Sequence, residues 1–213
     1  MKAHRTLIRR TALVAGTGVA ALVLAACGGN GGNSAHDMGA MGQPTSPPSA
    51  TASVTAGDHN AADVSFAKQM IQHHRQAVEM AELADSRALS AETKDLATKI
   101  KGAQDPEIKT MSGWLTSWGE EVPADMSGQG HDMSSGMPGM MSMADMEKLK
   151  NSTGAEFDKM FAEMMIKHHE GAIEMAETEK ADGKYEPAKK LADDVIKAQT
   201  AEIEQMKQML GKS

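Results

Sequence analysis

The chain has 213 residues, of which 40% are hydrophobic and only 3% aromatic, and it carries 22 basic against 29 acidic side chains for a formal charge of −7. An acidic chain repels polyanions, which excludes nucleic acid as a partner. A single cysteine excludes a disulfide framework and any cysteine-built metal site.

The first predicted elements are addressing signals. Lys2, Arg5, Arg9 and Arg10 precede an apolar run over residues 12–26 that is too short to span comfortably as a membrane helix. The run ends in Leu24-Ala25-Ala26-Cys27, followed by Gly28-Gly29, and this resembles a bacterial lipobox. Residues 1–26 therefore read as a lipoprotein signal peptide and Cys27 as the lipidated residue of an extracytoplasmic, membrane-anchored protein; an ordinary signal peptide with a stray cysteine is the alternative. Removing residues 1–26 takes away four basic and no acidic side chains, leaving 18 against 29 and a charge of −11. Residues 27–57 are Gly, Ser, Thr, Pro and Ala with almost nothing to bury, which predicts a flexible tether. Residues 58–213 are one domain's worth of chain.

Within that domain Ala, Glu, Lys, Met and Gln favour helix. Asn60, with Asp63 three residues on, predicts a helix start. Its apolar stripe is Phe66, Met70, His73, Ala77, Met80 and Ala84, in steps of four and three. Ser90 is expected to cap a second helix carrying Leu96, Ile100, Ala103, Met111 and Leu115, with a kink at Pro106. Residues 119–141 hold Gly, Ser, Met, Pro123 and Pro138 and read as a long loop. A short helix is expected at 143–150. Thr153 with Glu156 predicts a capping box at the third long helix, whose stripe is Phe161, Met165, His168, Ala172 and Met175. Asp182-Gly183 makes a turn, and Pro187 suits the first turn of a fourth long helix carrying Leu191, Val195, Ala198, Met206 and Leu210.

The sequence repeats itself at an offset of 95. Residues 63–82 and 158–177 are identical at 12 of 20 positions, and Leu96/Leu191, Gln104/Gln199, Glu107/Glu202, Ile108/Ile203, Met111/Met206 and Leu115/Leu210 continue the match. A helical hairpin is thus duplicated. One hairpin cannot bury its apolar face alone, so two packed together predict an all-α four-helix bundle with approximate two-fold symmetry.

Both copies keep a His-His pair with a methionine on either side: Met70, His73, His74, Met80, and Met165, His168, His169, Met175. Imidazole and thioether are ligands for soft or borderline metals. Adjacent helical residues lie about 100° apart, so His73 and His168 fall on the core seam while His74 and His169 lie beside it, nearer solvent. Glu107 and Glu202 sit near the stripes of their helices, with Met111 and Met206 one turn on. Two readings of the seam histidines stay open, a buried His–Glu hydrogen bond or a metal contact, and methionine on a helical stripe is also ordinary core filler. The loop offers more thioethers. His131, Met133, Met137, Met140, Met141 and Met143 crowd into residues 119–146 among Gly, Ser and Pro, where no helical period argues for core packing. Flexible thioethers suit Cu(I), imidazole adds capacity for Cu(II), and Ag(I) should bind similarly. The Glu-x-x-His motif of a di-iron carboxylate site is missing, since Met70 and Ile71, then Met165 and Ile166, stand where its glutamates belong.

The pattern Phe-x3-Met-x2-His-His-x2-Ala-x2-Met-Ala, followed by Gln-x2-Glu-Ile-x2-Met, resembles the bacterial domain of unknown function 305 family over residues 60–213. The resemblance implies a ferritin-like helical bundle, exported and in some members copper-binding, and it implicates the same His, Met, Gln and Glu positions. The resulting expectation is a non-enzymatic copper-binding lipoprotein that sequesters Cu(I) or passes it to a delivery partner. The alternatives are a metal-free interaction module of the cell envelope, a ferritin-like metallo-oxidase, and an oxidant sink built on methionine.

Overall fold

The computed structural model describes residues 57–125 and 136–211. The expected signal peptide, Cys27 and nearly all of the expected tether lie outside the described residues. Within them the chain is all helical, with five helices: α1 (Ala61–Arg87), α2 (Ala91–Trp118), α3 (Met143–Asn151), α4 (Gly154–Asp182) and α5 (Glu186–Met209). None is long and apolar enough to cross a membrane.

The helix ends follow local chemistry. Asn60 and Asp63 form a reciprocal capping box at α1, Ser90 accepts from the Thr93 N–H at α2, and Pro187 stands in the first turn of α5. Gly119 stops α2 with φ +75°, a left-handed conformation that glycine adopts without a Cβ penalty. One expectation is corrected. Thr153 makes no capping bond; the chain instead enters α4 through Gly154 at φ +67°, which sets Gly154 against Ala88 of the first hairpin. As the sequence indicates, Pro106 falls inside α2. Pro106 and Gly102, whose carbonyl loses its helical partner, both lie on the exposed side, where the freed group is open to solvent.

The helices pair as the repeat requires. α1 packs along α2, α4 along α5, and α1 against α4, while α2 and α5 scarcely touch. Two apolar cores result. One holds Phe66, Met70, Met111, Leu115, Met175 and Val195. The other holds Met80, Leu96, Ile100, Phe161, Met165 and Met206. Adding 95 turns Met70 and Met111 into Met165 and Met206, and Met80 into Met175, so the repeat exchanges the two cores. The methionines that flank each His-His pair in sequence therefore belong to different cores.

Each hairpin is clasped to the other by one aspartate. The Asp63 carboxylate accepts from the backbone N–H of Lys184 (3.0 Å) and Tyr185 (2.8 Å). Asp158, its repeat partner, accepts from Leu89 (3.1 Å) and Ser90 (2.9 Å). Lys184 and Tyr185 are themselves the repeat equivalents of Leu89 and Ser90. Only the first clasp carries a second acid. Glu179, buried where the other half has Ala84, finds no donor for either oxygen among the described residues. Burial, then the neighbouring Asp63 carboxylate, push Glu179 up to about 8. Burial acts to raise Asp63 too, but the backbone N–H groups of Tyr185, Asn60 and Lys184, with the Glu179 carboxyl, outweigh it and hold Asp63 below the ordinary range. At neutral pH the pair therefore holds one proton, carried by Glu179.

The folded state thus binds the Glu179 proton more tightly than the unfolded state, and the associated stability disappears as pH rises from the ordinary value of 4.5 through about 8. Urea denaturation of wild type and Glu179→Gln should show this directly. The difference in unfolding free energy, wild type minus variant, should decline across that window and level off above it; a flat difference would mean that the acid pair holds no such proton.

Candidate metal centre

The sequence places His73 and His74 midway along α1, and His168 and His169 midway along α4. Because α1 and α4 pack together between the two cores, all four imidazoles meet in one layer, and all four are fully buried. The His73 and His168 rings lie 3.7 Å apart between centroids, and His168 and His169 lie 6.4 Å apart. The expectation that His74 and His169 sit nearer solvent is corrected. They face the second helix of their own hairpin, where His74 Nε2 lies 2.7 Å from the Glu107 carboxylate and His169 Nε2 lies 2.7 Å from that of Glu202. The buried His–Glu pairs therefore involve the off-seam histidines. The seam histidines His73 and His168 face each other instead.

Three outer contacts fix three ring protons. A carboxylate or carbonyl oxygen only accepts, so Nε2 of His74, of His169, and of His73 (3.1 Å from the Pro138 carbonyl) carries the hydrogen. In the neutral ring this leaves Nδ1 as the lone-pair nitrogen. Nδ1 of all four histidines is buried without a partner among the described residues, as is Nε2 of His168. The Oε1 atoms of Gln104 and Gln199 are in the same condition. These two glutamines replace Ala103 and Ala198, which were expected on the stripes but are exposed. Each buried polar atom left unpaired costs about 1–3 kcal/mol. Burial, with His74 and then His169 nearby as potential like charges, lowers His73 to about 3, and burial lowers His168 well below its ordinary value. Both are therefore held in the neutral, ligating form.

The six helical methionines flank this layer. Met70, Met80, Met111, Met165 and Met206 are fully buried, and Met175 is 8% exposed. Among the described residues no three His, Cys, Asp or Glu side chains gather closely enough to hold a metal ion, so the donors at hand are separate imidazoles bordered by thioethers.

The insert crosses the layer on the α1–α4 side. Gln76 brackets Met141 with two hydrogen bonds, accepting from its N–H at 2.7 Å and donating to its carbonyl at 3.0 Å. Gly171, the repeat equivalent of Gln76, has no side chain because a Cβ there would run into the Pro138 carbonyl. Gly139, at φ +76°, presses on the α4 backbone at Lys167 and His168. The expectation that packing does not explain the loop methionines is corrected for two of them, since Met140 is 6% and Met141 3% exposed. Met137 is half-buried and Met143 is exposed. His131 and Met133 lie outside the described residues. No sequence signal singled out Gln76, Gly171 or Pro138; the only trace was the lapse of the repeat at 76 and 171.

Two outcomes are expected of the metal-free protein. Long-range ¹H–¹⁵N spectra should show the Nε2–H tautomer at His73, His74 and His169, and Glu107→Ala should release His74 alone. Stability should also fall with acid. The unfolded histidines take up protons near 6.5 while His73 resists until about 3, so unfolding free energy measured by urea titration should drop as pH falls through that interval.

The comparisons agree with this architecture. Residues 63–210 match the family described as Domain of unknown function (DUF305). No curated protein matches the sequence. Among solved structures, a DUF305 protein of Streptomyces coelicolor, inferred to be secreted, is 32% identical over 71% of this chain and 93% of its own, with a TM-score of 0.64. CopM in its Cu(II)-bound form is 40% identical over 69% of this chain and 94% of its own, with a TM-score of 0.60. Its Cu(I)-bound form is 36% identical over the same shares, with a TM-score of 0.57, and Ag-bound forms also match. The chain belongs to the DUF305 family.

Proposed function

We propose that this protein is an extracytoplasmic copper-binding protein, anchored through a lipid on Cys27 and held off the membrane by the 27–57 tether. Its four long helices form a ferritin-like bundle of two duplicated hairpins. The observation that carries the copper reading is the set of four buried Nδ1 lone pairs, three of them on rings whose outer N–H is already fixed by Glu107, Glu202 or Pro138. An imidazole that donates one N–H outward and leaves the other nitrogen bare is how a metal-ligating histidine is oriented. The neighbouring thioethers of Met70, Met111 and Met175, and of Met80, Met165 and Met206, select for Cu(I) and Ag(I) over hard cations. CopM, which shares the fold and about a third of the sequence, is known in Cu(I)-, Cu(II)- and Ag-bound forms. The protein would sequester copper or hand it to a partner, with the Met-rich insert capturing and the His layer retaining it; no reaction is assigned.

An anaerobic Cu(I) competition titration of residues 58–213 tests this. Replacing His73, His74, His168 and His169 by Ala should abolish tight binding with the helical circular dichroism retained. Glu107→Ala with Glu202→Ala should weaken affinity about 10–100-fold, the usual effect of losing the group that orients a ligand. Binding that survives the fourfold histidine variant would remove the His layer from the site.

A further inference from the structure

The two cores are related by the repeat but are not closed alike. Beside the Met70 core lies a cavity of about 220 Å³, lined by Phe66, Met175, Glu179 and Pro138 at depth, with Ser65, Gln69, Glu174 and Thr178 exposed towards its mouth. At the equivalent place beside the Met80 core three of the four polar side chains of the mouth are exchanged for apolar ones, only Glu174 being matched by an acid, Glu79. Ser65 becomes Met160, Gln69 becomes Met164 and Thr178 becomes Leu83, while the small Ala62 at the cavity becomes Phe157. Phe157 is fully buried there, and Leu83, Met160 and Met164 pack against that core together with Met141, Met146 and Leu149 from the insert and α3. The duplicated fold is therefore sealed on one side and open, with a polar mouth, on the other.

The equivalent methionines register the difference. Met175 at the cavity is 8% exposed, while its equivalent Met80 is wholly buried. The cavity also abuts the layer itself, because Pro138 forms part of its wall and takes the His73 Nε2–H. The four imidazoles have no exposure of their own, so an ion has to pass some wall to reach them. A second approach lies between α2 and α5, where Glu107 and Glu202 are about one-fifth exposed. An ion arriving there meets the protonated Nε2 face of His74 and His169.

We infer that the cavity at Met175 is the port through which a soft monovalent cation enters and leaves the His layer: Glu174 and the uncharged polar rim receive it, and Met175 is the first thioether it meets. This rests on the copper reading above and adds the route. A port sets rates and not the equilibrium, because closing it slows entry and exit by the same factor.

The test is to give the open side an apolar rim like that of the sealed one, without adding thioether ligands. Full-length protein carrying Ser65→Leu, Gln69→Leu and Thr178→Leu is mixed anaerobically with a coloured Cu(I)–chelator complex, and transfer is followed by stopped flow alongside equilibrium competition. Uptake and release should each slow by about tenfold or more with affinity essentially unchanged, since an added barrier changes the rates together. Thr178→Leu alone, a rim change on an exposed helical face, should give a smaller slowing and guards against misfolding of the triple variant. Unchanged rates would overturn the port and move entry to the α2–α5 gap. A loss of affinity with unchanged uptake would also overturn it, by making these residues part of the holding site. If the wild type takes no Cu(I) from the chelator, the copper reading itself fails, and the port with it.

Discussion

The structure is organised around a conflict that its described residues do not resolve: four imidazoles are buried in one layer with fewer partners than nitrogens. Burying a polar group without a hydrogen bond is unfavourable, and protein interiors rarely leave such atoms unpaired. Among the described residues the same deficit occurs in both copies of the repeat, at Nδ1 of His73, His74, His168 and His169 and at Oε1 of Gln104 and Gln199. The surrounding helices meet this by placing an apolar core on each side of the layer and by fixing three of the rings from outside. The layer is therefore ordered while its lone pairs stay available.

Duplication explains why two half-sites exist, and the insert explains why they differ. Its segment around Pro138 and Met141 ties down the His73 ring, while both nitrogens of His168 stay unpaired among the described residues. That crossing leaves no room for a Cβ at 171 and uses the glutamine at 76 to hold Met141, so the repeat lapses at this pair. The clasps show the same economy. Asp63 and Asp158 perform equivalent tasks, but only the first is shadowed by a protonated Glu179, whose equivalent Ala84 belongs to the sealed core.

Much of this was legible in the chain. Steps of three and four marked the long helices, Asn60, Ser90 and Pro187 marked their starts, and the offset of 95 announced the hairpin duplication. What was not legible depends on how one helix is rotated against another. Ala103 and Gln104 both continue the stripe of Leu96 and Ile100, and only the packing of α2 on α1 turns the glutamine inwards and the alanine out. The same rotation pairs Glu107 with His74 instead of His73, although both histidines lie within a side chain's reach in sequence terms. Met140 and Met141 had no periodicity to betray burial, because an extended strap buries side chains through long-range contacts that a local pattern does not encode.

The neutrality of the layer also bears on which cations it suits. Holding His73 and His168 in the uncharged form removes electrostatic repulsion towards an incoming cation, but it supplies no negative charge to compensate one. The carboxylates of Glu107 and Glu202 sit one ring away, on the outer nitrogens. A divalent ion in this dry layer would be poorly neutralised by imidazoles and thioethers alone, and its desolvation would go largely uncompensated. A monovalent soft ion gives up less hydration and gains more from sulfur. Charge balance and donor softness thus both support the Cu(I) and Ag(I) binding proposed above, in which the outer glutamates, through the rings they orient, would be the compensating charge.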